Sequence, residues 1–115
     1  MASDRRVLEV RSYKLKSGMS AEFHRAMSSE AAPMLRAWGT DVVALGPSPH
    51  EADSYFLIRS YADLDRRQRE QDAFYASDAW RSGPRKSIVG KIESYLDTVL
   101  WLSPAGIDEI RTFNT

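Results

Sequence analysis

The chain predicts an α+β domain of the ferredoxin-like kind, with a four-stranded antiparallel sheet carrying helices on one face. Segments of strict two-residue alternation open the chain and recur later, and segments with apolar residues at helical spacing stand between them. Their order, β-α-β-β-α-β, is the split βαβ arrangement, whose right-handed crossovers put both helices on one side of the sheet. At 115 residues the chain is long enough for one modest core and too short for two. A single domain is expected over residues 1–115, with its core at about 7–102 and a tail at 103–115.

The first strand lies in Val7 to Gly18, VLEVRSYKLKSG. Leu8 and Val10 point one way and Glu9, Arg11 and Tyr13 the other, so both faces should be occupied. Gly18 makes the turn, and Ser20 is placed to cap a helix from Ala21 to about Trp38. Met19, Phe23, Met27, Ala31, Met34, Leu35 and Trp38 form its apolar stripe, Pro33 predicts a kink or split, and Gly39 ends it. Thr40 to Leu45 reads as a buried strand, followed by a loop from Gly46 to His50.

Asp53 to Tyr61 is a third strand, with Tyr55, Leu57, Arg59 and Tyr61 on one face and Phe56, Ile58 and Ser60 on the other. Asp63 caps a second helix running to about Tyr75. Ser77 and Pro84 each open a short helical segment, the proline at the first helical position. Ile92 to Trp101 is the closing strand. Ile107, Ile110 and Phe113 in the tail are spaced in threes, which predicts docking on another surface. With both helices on one side, the face bearing Leu8, Val10, Phe56 and Ile58 lacks a cover, and a second copy of the sheet is the simplest one. A homodimer is therefore expected.

Sixteen basic and sixteen acidic residues cancel, so no global field favours nucleic acid or an anionic membrane. The absence of cysteine removes disulfides, thiolate chemistry and cysteine-ligated metal. The polar start MASDRR and the lack of a long apolar run give a cytoplasmic protein as the expectation. No Gly-rich phosphate loop, HExxH, Gly-x-Ser-x-Gly elbow or EF-hand loop occurs, and the two histidines lack metal-ligand spacing.

The pattern Glu9-x-Arg11-x-Tyr13-x-Leu15-Lys16-x-Gly18 resembles the opening of NIPSNAP domains. Ala79-Trp80-Arg81, Gly83-Pro84-Arg85, Ile88 and the aromatic-rich Ser94-Tyr95-Leu96 extend the resemblance from about Val7 to Leu102. The resemblance implies a dimeric α+β barrel. That superfamily includes cofactor-independent monooxygenases, haem-degrading enzymes, chlorite dismutase relatives and muconolactone-type isomerases, so it implies a pocket between sheet and helices and no single chemistry.

Read from the residues, His24 and Glu30 each lie about 60° from the centre of the first helix's stripe at roughly 100° per residue, bordering the sheet-facing side. His24 is the candidate catalytic residue, as a general base, with a hydrogen-bonded boundary histidine as the plain alternative. On the second helix Leu64, Gln68, Gln71 and Tyr75 share a face. Opposite them stand Arg11, Arg59, Tyr13, Tyr55 and Tyr61. Trp80 is a core or pocket-wall residue.

Arg11, Tyr13, Tyr55, Arg59, Gln68, Gln71, Tyr75 and Trp80 are thus candidate ligand contacts, or else members of a self-satisfied buried network. The two arginines suit a carboxylate, either Glu9 or a ligand anion. The reading is a homodimeric domain that binds a small apolar or aromatic molecule between sheet and helices. The alternatives are a cofactor-independent monooxygenase or isomerase using His24, and a non-catalytic interaction module. No cofactor or metal is expected, with haem on His24 left open.

Overall fold

The structure, a computed structural model, describes residues 4–114. Met1 to Ser3 of the polar start and Thr115 of the tail lie outside the described residues. In chain order the elements are β1 (Arg6–Leu15), α1 (Ser20–Ala26), a π-helical stretch (Met27–Ala31), α2 (Ala32–Trp38), β2 (Asp41–Pro47), β3 (Ser54–Tyr61), α3 (Leu64–Ala76), α4 (Asp78–Ser82), α5 (Arg85–Val89), β4 (Ile92–Leu102) and α6 (Pro104–Phe113). The strands form one sheet in the order β2-β3-β1-β4, and all three neighbouring pairs are antiparallel. This is the expected α+β, ferredoxin-like architecture.

Register decides what meets what. Glu9 stands between Arg59 and Val99, Arg11 between Leu57 and Asp97, and Tyr13 between Tyr55 and Tyr95. Because side chains alternate across a strand, all of these project to the helix-covered side. The main core fills that side further along, where Tyr13, Leu15, Phe23, Met27, Leu35, Leu57, Phe74, Trp80 and Ile88 are buried together. β1 and β3 thus carry charged residues at one end of the covered face and aromatic and aliphatic ones at the other.

The helical run from Ser20 to Trp38 widens at Met27–Ala31, where the Ala32 N–H reaches back to the Met27 carbonyl. Pro33 follows at once, near the start of α2, where its missing N–H costs least. Gly39 closes the run in the left-handed region at φ 102°. Ser20 is not the cap. The helix enters from Met19 with no side-chain cap bond, and the preceding turn is held by the Gly18 N–H donating to Asp53 Oδ1 at 3.3 Å. Pro84 is the residue that caps α5 rather than its first helical residue, and β2 continues through Gly46 and Pro47, which pair with Phe56 and Tyr55. Asp63 and Ser77 cap α3 and α4, accepting from the Arg66 and Trp80 N–H groups.

The second face of the sheet is not left bare. α6 starts on Ser103, whose hydroxyl accepts from the Gly106 N–H at 3.1 Å, and folds back across it. A side chain at Gly106 would stand 2.8 Å from Leu102 Cγ, so glycine lets the helix leave β4 this closely. Ile107 is buried with Leu8 and Val43, while Val10, Ile58, Leu102 and Ile110 pack around them. Arg111 clamps the helix to Asp41 through two bonds of 3.1 Å. The expectation that this face had no helix to cover it is therefore corrected: the tail covers its centre. Phe113, the third residue of the tail's spacing, stays exposed.

What remains uncovered is β4. It is an edge strand with apolar side chains exposed on both faces: Tyr95 (58%), Val99 and Trp101 toward the helix side, Leu96 (70%) and Leu100 toward the other. Among the described residues no helix is long and apolar enough to cross a membrane.

Candidate ligand site between sheet and helices

The site begins with a carboxylate that has no access to water. Glu9 is fully buried at the middle of β1, and it is held by three side chains. Its Oε1 accepts from Arg59, with Nε at 2.9 Å and Nη2 closer still. Its Oε2 accepts from Arg67 Nε at 2.6 Å and from the Gln71 amide, which also donates to the Tyr61 hydroxyl at 3.1 Å. Isolated buried charge is costly, and only this degree of pairing makes it tolerable. Burial pushes the Glu9 pKa up, but the Arg59 charge and the other donors outweigh it and hold the carboxyl below its ordinary range.

A second pair lies one step along β1. Arg11 donates to both oxygens of Asp97, at 2.7 and 2.9 Å, in the forked geometry that guanidinium and carboxylate share. Arg67 bridges the two pairs, reaching Asp97 at 3.4 Å. Burial pushes the Arg11 pKa down, yet the bond with Asp97 more than reverses this, and Asp97 is lowered in turn by Arg11 against its own desolvation. The Tyr75 hydroxyl closes the network, accepting from Arg11 Nη1 at 3.3 Å and from Arg59 Nη1 at 2.9 Å.

Beside the network opens a cavity of about 490 Å³. Its floor is Arg11, Tyr13 and Leu57 of the sheet with Tyr95 of β4. Its walls are Met27, Ala31 and Leu35 on one side and Gln71, Phe74, Tyr75, Trp80 and Ile88 on the other. Phe74, Tyr75 and Trp80 pack ring on ring at 5.1 to 5.4 Å between centroids, and Tyr95 covers the Arg11 guanidinium at 4.6 Å. A concave, mostly apolar space of this size with a few convergent polar groups is the usual form of a small-molecule site.

The structure brings five of the sequence candidates to this cavity: Arg11, Tyr13, Gln71, Tyr75 and Trp80. Three others lie elsewhere. Arg59 is buried behind the cavity between Glu9 and Tyr75, and Tyr55 is buried beside Phe23. Gln68 faces out and donates to Asp72 at 2.9 Å, and Leu64 is 52% exposed rather than turned to the sheet. The inward side of α3 is instead Arg67, Gln71, Phe74 and Tyr75, because the buried Glu9 draws a cation and an amide toward the sheet. Glu30 is exposed on the π-helical stretch, where the wider turn changes the phase assumed for a regular helix.

His24 is half-buried, with Nδ1 at 2.6 Å from the Tyr55 hydroxyl. It borders two shallow depressions, one with the Pro47–Ala52 loop and one with Ser28, Arg36 and Asn114. It does not line the cavity beside the charged network. Tyr55 and then Tyr13 stand between, with centroids 5.6 Å and 6.3 Å apart along the row. That row separates His24 from the cavity with apolar walls, so a haem held by His24 would not lie in that cavity. Among the described residues no group of three or more His, Cys, Asp or Glu is arranged to hold a metal ion.

Arg67 and Asp97 were missed by sequence reasoning. The signal for Asp97 was present: Tyr95, Asp97, Val99 and Trp101 alternate, and the antiparallel register sets Asp97 beside Arg11.

Fold and site together define an α+β, ferredoxin-like domain whose covered sheet face carries a charged network and a ring-lined cavity. The NIPSNAP family profile matches residues 8–104, and the chain belongs to that family. A NIPSNAP family protein from Agrobacterium tumefaciens is 19% identical, with a TM-score of 0.79 over 87% of this chain and 90% of its own. A NIPSNAP domain protein from Burkholderia xenovorans is 18% identical, with a TM-score of 0.73 over 82% and 91%. A Bordetella bronchiseptica protein assigned as a candidate antibiotic biosynthesis monooxygenase is 20% identical, with a TM-score of 0.62 over 85% and 95%. At these identities the likeness is one of fold. No curated protein matches the chain.

The charges and phenols of the site set an expected pH profile. Glu9 and Asp97 have lowered pKa values in the folded chain, so their contribution is complete above their unfolded values of about 4 and is lost as pH falls further. Tyr13, Tyr55 and Tyr61 are raised by burial, so their contribution is complete below about pH 10 and is lost above it. Urea midpoints should be flat between about pH 5 and 9 and fall on both sides. Stability that persists unchanged well below pH 4 or so would contradict the acidic arm.

Proposed function

We propose that this NIPSNAP domain binds a small apolar or aromatic molecule in the cavity between the sheet and α3–α5, and works as a homodimer. The cavity carries the reading: its volume of about 490 Å³ lies within the range of small-molecule sites, and rings form much of its wall. The test is calorimetric titration with indole and 1-methylnaphthalene, paired with the variant Val89→Trp. Val89 lines the mouth and is 44% exposed, so a larger side chain there obstructs entry without disturbing the core. Binding by the unaltered protein, weakened at least tenfold or so in the variant at unchanged stability, is the expected result. No binding of either compound, nor of 1-naphthoate or decanoate, would end this reading.

The dimer rests on β4. Leu96 and Leu100 are exposed on the sheet face beside α6, and both lie on an unpaired edge strand. Such strands are normally protected by charge, cover or a partner. The surface proposed for the partner is therefore β4 with Val10 and Phe56, rather than Leu8, which α6 already buries. Light scattering should give twice the chain mass, and Leu96→Asp should give the single-chain mass. A monomer at micromolar concentration in the unaltered protein would refute this.

A further inference from the structure

We infer that the cavity's ligand is a monocarboxylate on an apolar or aromatic body, received by the Tyr75 hydroxyl and the Arg11 guanidinium. The inference rests on the small-molecule reading above and names its chemical class. A phenol offers one proton and two acceptor positions. In Tyr75 both acceptor positions are used by cations, Arg11 at 3.3 Å and Arg59 at 2.9 Å. Among the described residues nothing accepts the hydroxyl's own proton. Tyr75 lines the cavity, so the unspent proton belongs to a residue of its wall.

Arg11 is the matching half. Its Nε and Nη2 are committed to Asp97 and its Nη1 to Tyr75, and the Tyr13 hydroxyl stands beside the same guanidinium; the second Nη1 proton is thus one that a ligand would share with Tyr13 at the cavity wall. Two donors on groups 3.3 Å apart suit the two oxygens of one carboxylate better than a single carbonyl.

The charge count favours an anion of a single charge. Arg11, Arg59 and Arg67 are bound by Glu9 and Asp97 only, which leaves one cation more than anions in the network. A carboxylate restores balance, whereas a phosphate dianion would overshoot it and need more donors than the wall provides. Two other carboxylates are near: Asp72 of the wall is exposed and holds Gln68, and Asp78 lies outside with Arg81 and Arg85. Arg85 also lines the cavity, is exposed, and has no ion pair or hydrogen bond among the described residues, so the entrance favours anions too.

The experiment compares 1-naphthoate, decanoate and 1-methylnaphthalene by calorimetry near neutral pH, on the unaltered protein and on Tyr75→Phe. The first and third share a ring system and differ in the carboxylate. Naphthoate should bind about tenfold or more tighter than 1-methylnaphthalene, the worth of a hydrogen bond to a charged group. Tyr75→Phe should remove most of that preference and leave 1-methylnaphthalene nearly unchanged. Should the variant fail to fold, having taken an acceptor from two arginines, the preference in the unaltered protein still decides. Decanoate binding above naphthoate would support the carboxylate and assign it to an aliphatic chain. Equal affinity for naphthoate and 1-methylnaphthalene would overturn the inference and leave the small-molecule reading standing. No binding by any of the three would overturn both.

Discussion

Glu9→Ala is expected to destabilise the fold by about 3–5 kcal/mol, the usual cost of removing one partner from a buried ion pair. The carboxylate accepts from Arg59, Arg67 and Gln71, and its side chain has no exposed surface. Removing it strands the Arg59 guanidinium, equally buried, with only Tyr75 as an acceptor. A loss of that size is a large share of a typical domain stability of about 5–15 kcal/mol. Urea unfolding followed by circular dichroism measures it. The cause is separable from packing, because Glu9→Leu combined with Arg59→Met removes both charges together. That pair should be far milder than either single change, since apolar replacement of a buried ion pair is often neutral or stabilising. If Glu9→Ala costs less than about 1 kcal/mol, the network is not the electrostatic keystone described above.

Trp80→Ala is expected to cost a similar amount, about 3–5 kcal/mol, through cavity formation rather than charge. Trp80 is 6% exposed and packs against Phe74 at a tilt and Tyr75 edge to face. It is the one buried residue of α4, a helix of five residues that has little else to anchor it. The loss should therefore include local loosening of α4 and α5, visible as faster amide exchange there than in β1 and β3. An unchanged urea midpoint would show that α4 is not packed as described.

The two central strands were legible because alternation is unambiguous where one face is charged or aromatic and the other aliphatic. Glu9, Arg11 and Tyr13 declared one side of β1, and Tyr55, Arg59 and Tyr61 the same side of β3. The helices were harder. α3 has few apolar residues, so taking Leu64 as the inward marker was the natural reading, and it set the phase wrong. Glu9 overrides it: a buried carboxylate three residues into β1 selects Arg67 and Gln71 as the inward side, an electrostatic choice that hydrophobic periodicity does not register. The π-helical stretch likewise follows from Pro33 in outline but not in extent. The threefold spacing in the tail announced docking, but neither its helical form nor its destination, Leu8 and Val43, which depended on tertiary placement.

β1 lies inside the sheet, yet both of its neighbours come later in the chain: β3 ends at Tyr61 and β4 at Leu102. During synthesis the first strand therefore waits, with Glu9 hydrated until β3 and α3 have emerged and with Leu8 and Val10 unburied until α6 follows β4. Pairing across such separations carries a loop-closure cost before any contact rewards it, which slows folding relative to a helical domain of equal length. Arginine and glutamate in the waiting strand keep it soluble in the interval, so the same residues that organise the finished site also guard the unfinished chain against association.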